Sequence, residues 1–218
     1  MRFAKEGYPF IAIGLLMSIA TWSKATTLGQ WSTIPAISLT ILTIFVAWFF
    51  RDPSRTAPSG EDFAISPADG KIISISEIDE PSFFGGSCQR ISIFLSIFNV
   101  HVQRAPMAGK VTHRNYRSGK YLAAWNDKAS EENEQSSLGI STKHGNILVR
   151  QIAGLIARRI ATYPELNSNL EVGERIGLIR FGSRVDLFIP SHWNIECSVG
   201  DTSKGGSTIL ARSTPLAN

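Results

Sequence analysis

Between Tyr8 and Phe50 the chain carries a single charged side chain, Lys24. A water-soluble domain rarely leaves so long a stretch without charge, so this region constrains the rest of the chain. Tyr8 to Trp22 is a short apolar run, and Trp31 to Phe50 is a longer one of about twenty residues, the length of one helical span. Ser23 to Gln30 reads as the polar turn between them. Trp22 and Trp31 at one end, and Trp48 at the other, stand where interfacial aromatics stand. Arg2, Lys5, Arg51 and Arg55 flank the two runs, so the positive-inside bias places both ends, and all that follows, on the cytoplasmic face of a cell membrane. Two readings compete with this one. Met1 to Lys5 followed by Ser23-Lys24-Ala25 resembles a secretory signal peptide with its cleavage site, and a buried core helix pair is also apolar. The preferred expectation is a membrane-anchoring helical hairpin, transmembrane or membrane-embedded, with its linker over residues 1–55.

After Arg51 the sequence has the mixed polarity of a globular domain. Net charge is only +4, and no Lys/Arg run is interleaved with aromatics, so nucleic acid is not an expected partner. Cys88 and Cys197 lack CxxC spacing, and no His/Cys/carboxylate cluster has zinc spacing. Free thiols and no metal are expected. From Ile65 the pattern is mostly strands: Ile72, Ile73, Ile75 and Ile78, then Ile91, Ile93, Leu95 and Ile97 after a Gly85-Gly86 turn. Pro67-Ala68-Asp69-Gly70-Lys71-Ile72 is echoed by Pro106-Met107-Ala108-Gly109-Lys110-Val111, and Val172-Gly173-Glu174-Arg175-Ile176 by Val199-Gly200-Asp201-Thr202-Ser203. Each is a glycine turn feeding a strand, the style of small interlocked barrels. Tyr121 to Ser137 reads as a loop with a helical piece. Gln151 to Ile160 has helical spacing through Ile152, Leu155, Ile156 and Ile160, although Asn146 to Ile152 reads as a strand running into it. The fold expected over residues 56–218 is therefore mainly β (α+β): a barrel-sandwich-like unit of interlocked short strands with one or two helices.

Ile179 to Pro190 is where chemistry is expected. Val185, Leu187 and Ile189 alternate after Gly182-Ser183, as in a strand entered through a permissive turn. A hydroxyl beside glycine is also where a chain can attack its own backbone. Ser183 oxygen adds to the Gly182 carbonyl, the acyl group shifts from nitrogen to oxygen, and elimination from the ester leaves a dehydroalanine that hydrolyses to a pyruvoyl group. An ordinary turn into a strand fits the same dipeptide. Four histidines are present. His101, between Val100 and Val102, points to the face opposite those valines if the segment is a strand, and is either a satisfied structural histidine or a base. His113, His144 and His192 lie in turn-like, solvated contexts. Asp69 in Ala68-Asp69-Gly70 is either a turn aspartate or the group that orients His101 toward Ser183.

Phe50-Arg51-Asp52-Pro53, Ser66 to Lys71, Phe98-Asn99-Val100-His101-Val102-Gln103-Arg104-Ala105-Pro106, Lys128 to Glu134, Gln151-Ile152-Ala153-Gly154, Ala157-Arg158-Arg159, Gly173 to Gly177 and Phe181-Gly182-Ser183 follow one another in a specific order. In these motifs the chain resembles the short bacterial and archaeal form of the phosphatidylserine decarboxylase proenzymes. The resemblance implies a self-processing carboxy-lyase, cleaved between Gly182 and Ser183 into a β chain, residues 1–182, and an α chain, residues 183–218, that stay together as a heterodimer or a higher oligomer. It implies a covalent pyruvoyl cofactor made from Ser183, with no pyridoxal phosphate. Asp69 and His101 fall on the family's self-cleavage positions. The substrate implied is phosphatidylserine in the membrane, converted to phosphatidylethanolamine and carbon dioxide, the pyruvoyl ketone drawing electrons as the carboxylate leaves. Arg158 and Arg159 could meet the lipid phosphate or form a solvated face. Many sequences resembling this one have Asn at the position of Gln103 and Arg at that of Gln135.

Two other functions fit parts of the pattern. A membrane-anchored lipoyl- or biotinyl-like barrel, acting as carrier or adaptor, explains the glycine turns but gives Gly182-Ser183 no purpose. A membrane-bound serine hydrolase keeps Asp69, His101 and Ser183 but lacks the Gly-x-Ser-x-Gly elbow.

Overall fold

The computed structural model describes residues 2–28, 30–120, 132–154, 159–180 and 183–214. The chain divides into two units, Met1–Ser54 and Arg55–Asn218. The first consists of β1 (Arg2–Phe3), α1 (Tyr8–Leu28), α2 (Thr33–Phe49) and β2 (Arg51–Asp52). Strands β1 and β2 pair antiparallel, Arg2 opposite Asp52 and Phe3 opposite Arg51, and close the end of the hairpin. Small side chains let the helices approach: a Cβ on Gly14 would lie 2.7 Å from Thr43 Oγ1, and the Ser18 and Thr43 hydroxyls are hydrogen-bonded at 3.2 Å.

Two expectations for this unit change. Helix α1 runs on to Leu28, so Ser23 to Thr27 is helix and not turn. The Thr21 and Thr27 hydroxyls make this tolerable by donating back to the Met17 and Lys24 carbonyls, at 3.0 and 2.9 Å. Helix α2 starts only at Thr33, after a 3-10 turn over Gln30–Ser32. Its 17 residues rise about 25 Å against a hydrocarbon core of roughly 30 Å. Among the described residues no helix is long and apolar enough to cross a membrane.

The second unit is built from β3 (Phe63–Ile65), β4 (Gly70–Glu80), β5 (Gly86–Leu95), β6 (Val102–Arg104), β7 (Gly109–Arg117), β8 (Gln135–Thr142), β9 (Gly145–Ala153), β10 (Ile160–Thr162), β11 (Asn169–Leu170), β12 (Arg175–Ile179), β13 (Ser183–Pro190), β14 (Asn194–Ile195), β15 (Thr202–Ser203) and β16 (Ile209–Arg212). Eight of these form one sheet in the order β11-β7-β8-β9-β13-β5-β4-β15, curled into a half-barrel, and β10-β12-β6 and β14-β16-β3 form two smaller sheets. Alternation decides the faces. Ile91, Ile93 and Leu95 of β5, Ile147 and Val149 of β9, and Val185, Leu187 and Ile189 of β13 all enter one buried core.

The echo at residues 67–72 and 106–111 is the trace of a duplicated backbone. A Cβ on Gly70 would meet Phe94 O at 2.3 Å, and one on Gly109 would meet Ser141 O at 2.5 Å. One residue is bulged after Ile72 in β4 and one after Val111 in β7. Ile72 exchanges hydrogen bonds with Asp201 and Gly200, as Val111 does with Ser168 and Asn167. Ser66 exchanges them with Thr208 and Gly206, as Ala105 does with Glu174 and Gly173. The copies interlock reciprocally: the Ile65 amide donates to the Pro106 carbonyl and the Arg104 amide to the Pro67 carbonyl. Strand by strand, β3-β4-β5-β13-β14-β15-β16 matches β6-β7-β8-β9-β10-β11-β12. The second expected echo is misaligned. Gly173 (φ 76°) corresponds to Gly206 (φ 81°) and not to Gly200, whose counterpart is Asn167 at φ 70°.

One copy is inserted in the other. Strands β8 and β9 are joined by the tight turn from Thr142 to Gly145, whereas the whole second copy separates β5 from β13. Ser183, opposite Leu95, therefore stands where Gly145 stands opposite Thr142. The helix expected over Gln151 to Ile160 is not seen in the described residues. Strand β9 continues to Ala153, with Ile152 paired to both Arg184 and Gln135, and Ile160 opens β10. Pairing on both sides overrides the helical spacing; Leu155 and Ile156 lie outside the described residues, as does most of the loop expected from Tyr121 onward.

Candidate active site

Ser183 opens β13, an interior strand, with Leu95 on one side and Ala153 on the other. It is fully buried, and its hydroxyl has no hydrogen-bond partner among the described residues. A buried hydroxyl left so costs about 1–3 kcal/mol, and folded proteins rarely keep one without a use for it. Gly182 lies outside the described residues.

His101 is also fully buried, just ahead of β6. Its Nδ1 stands 3.0 Å from the Asn99 carbonyl. A carbonyl only accepts, so Nδ1 carries the hydrogen, and in the neutral ring the lone pair then lies on Nε2. The His101 carbonyl accepts from the Ile179 amide at 3.4 Å, at the end of β12, and only residues 180–182 separate Ile179 from Ser183. It also accepts from Gln103 Nε2 at 2.8 Å. Gln103 Oε1 accepts from Gln151 at 2.9 Å, Gln151 Oε1 from Thr162 at 2.7 Å, and the Thr162 and Ser136 hydroxyls meet at 2.7 Å. The longer Gln at position 103 thus ties the His101 backbone to β9 and β10.

Asp69 lies at the same end of the large sheet, two strands from Ser183, with roughly 10 Å between backbones because Lys71 pairs with Phe94 and Phe94 with Arg184. Its carboxylate accepts from Arg55 Nη2 and from the Gly205 amide, each at 2.8 Å. Asp69 and Ser183 thus share one end of the sheet, but the Asp69–His101 hydrogen bond expected from the sequence is not made: the Asn99 carbonyl takes Nδ1. Arg159 is exposed at the start of β10, and Arg158 lies outside the described residues.

Two features escaped the sequence reading. Asn133, fully buried, donates from Nδ2 to the Ala153 carbonyl at 2.7 Å, next to Ser183, and the neighbouring Glu134 accepts from Tyr116 at 3.1 Å. Behind Ser183, buried Arg184 forms a two-pronged pair with Asp186 at 2.7 and 3.1 Å and donates to Ser92 at 2.8 Å. Two opposite charges at alternate positions of an apolar strand were the signal for it. Cys88 and Cys197 are free, and burial first, then Glu80 or Asp201, pushes each thiol up to about 11. Neither is poised as a nucleophile. Among the described residues no group of three His, Cys, Asp or Glu is arranged to hold a metal ion.

Comparison with known proteins shows the class to which this chain belongs. The family profile of phosphatidylserine decarboxylase matches residues 42–211. A phosphatidylserine decarboxylase proenzyme of Symbiobacterium thermophilum is 42% identical over 214 residues, covering 96% of this chain and 94% of that protein. One of Geotalea uraniireducens is 42% identical over 208 residues, covering 95% and 94%. The protein is thus an enzyme of the decarboxylase class. The chain belongs to the phosphatidylserine decarboxylase family, and neither the carrier nor the hydrolase reading gains support.

Proposed function

We propose that the protein is made as a proenzyme, cuts itself between Gly182 and Ser183, and converts phosphatidylserine to phosphatidylethanolamine and carbon dioxide. The observation that carries this is the buried Ser183 hydroxyl, without a hydrogen-bond partner among the described residues, at the head of an interior strand. His101 Nε2 takes the Ser183 proton as the oxygen attacks the Gly182 carbonyl; the Gly182–Ser183 amide opens to an ester, and the proton passes to the freed nitrogen. Loss of the Ser183 α-proton then expels the Gly182 carboxylate, and water replaces the nitrogen, which leaves as ammonia. Asp69, just ahead of β4, is the third residue proposed for self-cleavage; its carboxylate is held by Arg55 and the Gly205 amide rather than by His101. The Ser183 side-chain oxygen would depart in the Gly182 carboxylate, and the pyruvoyl group left at the head of β13 would supply an electron sink for decarboxylation. His101 then returns a proton to the carbon that lost its carboxylate.

Products 1–182 and 183–218 would remain one heterodimer, because β13 pairs with β5 and β9 along its length. We place the protein at the cell membrane, the catalytic unit on the cytoplasmic face. Leu16, Ile19, Ile41 and Ile44 of the hairpin are 62–68% exposed, more apolar surface than a helix pair leaves to water. At this helix length, embedding fits better than spanning. Intact-mass analysis and a carbon dioxide assay on purified phosphatidylserine test the reading together. Two chains split ahead of Ser183, and none from Ser183→Ala, is the expected result; an active Ser183→Ala enzyme overturns it.

A further inference from the structure

The duplication gives the catalytic end of the sheet a counterpart in the other copy. There Ala108 replaces Asp69, Asp62 replaces His101 and Gly145 replaces Ser183, so the chemistry is gone. The space is not. A cavity of about 650 Å³ is lined there by Phe63, Met107, Leu170, Val172, Lys110 and Lys143 among others. That volume is in the middle of the range for small-molecule sites. Its floor is apolar, since Phe63, Met107 and Leu170 are buried core side chains presenting one face to it. Its rim is basic: Lys110, Lys143 and His144 are exposed, and the acidic rim residue Glu61 pairs with Lys143 at 3.0 Å. With side chains 73% and 79% exposed, that pair contributes little, and an incoming anion can displace Glu61 at small cost.

We propose that this cavity binds an anionic amphiphile, its tail on Phe63, Met107, Leu170 and Val172 and its acidic head between Lys110 and Lys143. The site is non-covalent and independent of Ser183, so it stands or falls apart from the self-cleavage reading. A phosphodiester or a carboxylate head satisfies the same lysines, and the test separates them. Dihexanoyl phosphatidylglycerol, decanoate and dihexanoyl phosphatidylcholine, each below its micelle concentration, are titrated into the full-length protein and into uncut Ser183→Ala, with hydrogen exchange mapping the contact.

Saturable binding of the phosphatidylglycerol or the decanoate is expected, with protection at residues 60–63, 107–110, 141–144 and 169–172. Whichever binds more tightly identifies the head group. Lys143→Glu and Lys110→Glu, both on the surface, each weaken it at least about tenfold, as loss of a charge-assisted contact does. Glu61→Gln tightens it about two- to fivefold by removing the competing carboxylate. Equal binding of the zwitterionic phosphatidylcholine, protection elsewhere, no saturation, or indifference to both lysine reversals overturns the proposal.

Discussion

The two copies of the strand pattern share their bulges, glycine contacts and cross-bonds, yet differ at one end of the large sheet. In one copy the hairpin β8–β9 closes through Thr142 to Gly145, with Thr142 Oγ1 donating to the Gly145 carbonyl at 2.7 Å. In the other the same hairpin is open, and Ser183 occupies the position of Gly145. Closing a turn satisfies its backbone groups locally, whereas opening it leaves a buried strand start whose hydroxyl has no partner among the described residues. The surrounding frame is common to both copies, so the reactivity proposed for Ser183 would come from interrupting a hairpin.

The largest expected effect separates His101 from its counterpart Asp62. His101→Ala should slow chain splitting by about 10²–10⁴-fold, the usual worth of a positioned base, while Asp62→Ala, at an exposed ion pair with Arg212, should leave the two-chain pattern on a denaturing gel unchanged. Equal behaviour of the two would break the comparison.

Next comes the strand after the proposed cut. Arg184→Met strands the buried Asp186 carboxylate and should cost about 3–5 kcal/mol in urea unfolding of the uncut Ser183→Ala protein, with Arg184→Met/Asp186→Leu recovering most of it. The counterpart of Arg184 is exposed Asn146, where alanine should change stability by less than about 0.5 kcal/mol.

Gly70→Ala and Gly109→Ala should sharpen the likeness, each costing about 1–3 kcal/mol because the new Cβ meets a backbone oxygen. A large effect at one and none at the other would mean the copies are not equivalent.

The smallest effect concerns acid. Burial alone would raise the Glu80 carboxyl, but the Ser82 hydroxyl, the Phe83 and Phe84 amides and Arg150 hold it below its ordinary 4.5. Its stabilising contribution is complete above that value and is lost as pH falls through the lowered one. Glu80→Gln should flatten the acid limb of the stability–pH curve; an unchanged limb would assign it to other carboxylates.

Much of this was legible in the residues. Val185, Leu187 and Ile189 announced β13 through strict alternation, whereas the echo around Gly70 and Gly109 showed only two like glycine turns; the duplication became visible once both glycines were seen to pass close to a neighbouring carbonyl. The second echo misled because Val-Gly recurs at residues 172–173 and 199–200, whereas the backbone matches Gly173 with Gly206 in the left-handed region. The helix expected after Gln151 failed because Ile152 has strand partners on both sides, which spacing along one chain does not reveal. At the site, Ser183 and His101 were recognised as residues, but the Asn99 carbonyl that fixes the imidazole was not. Backbone oxygens leave no letter in a sequence.

The position of β13 matters for what a cut ahead of it can do. Of the strands that follow it, β14 pairs with β16, while β15 pairs with β4 and β16 with β3, so the C-terminal piece is woven into strands from earlier in the chain. Severing the covalent thread there changes the number of polypeptides and removes none of those pairings. A terminus created there could neither swing out into solvent nor be replaced by a peptide from another molecule without unravelling the sheet, so a reactive end formed by such a cut would stay with the molecule that formed it.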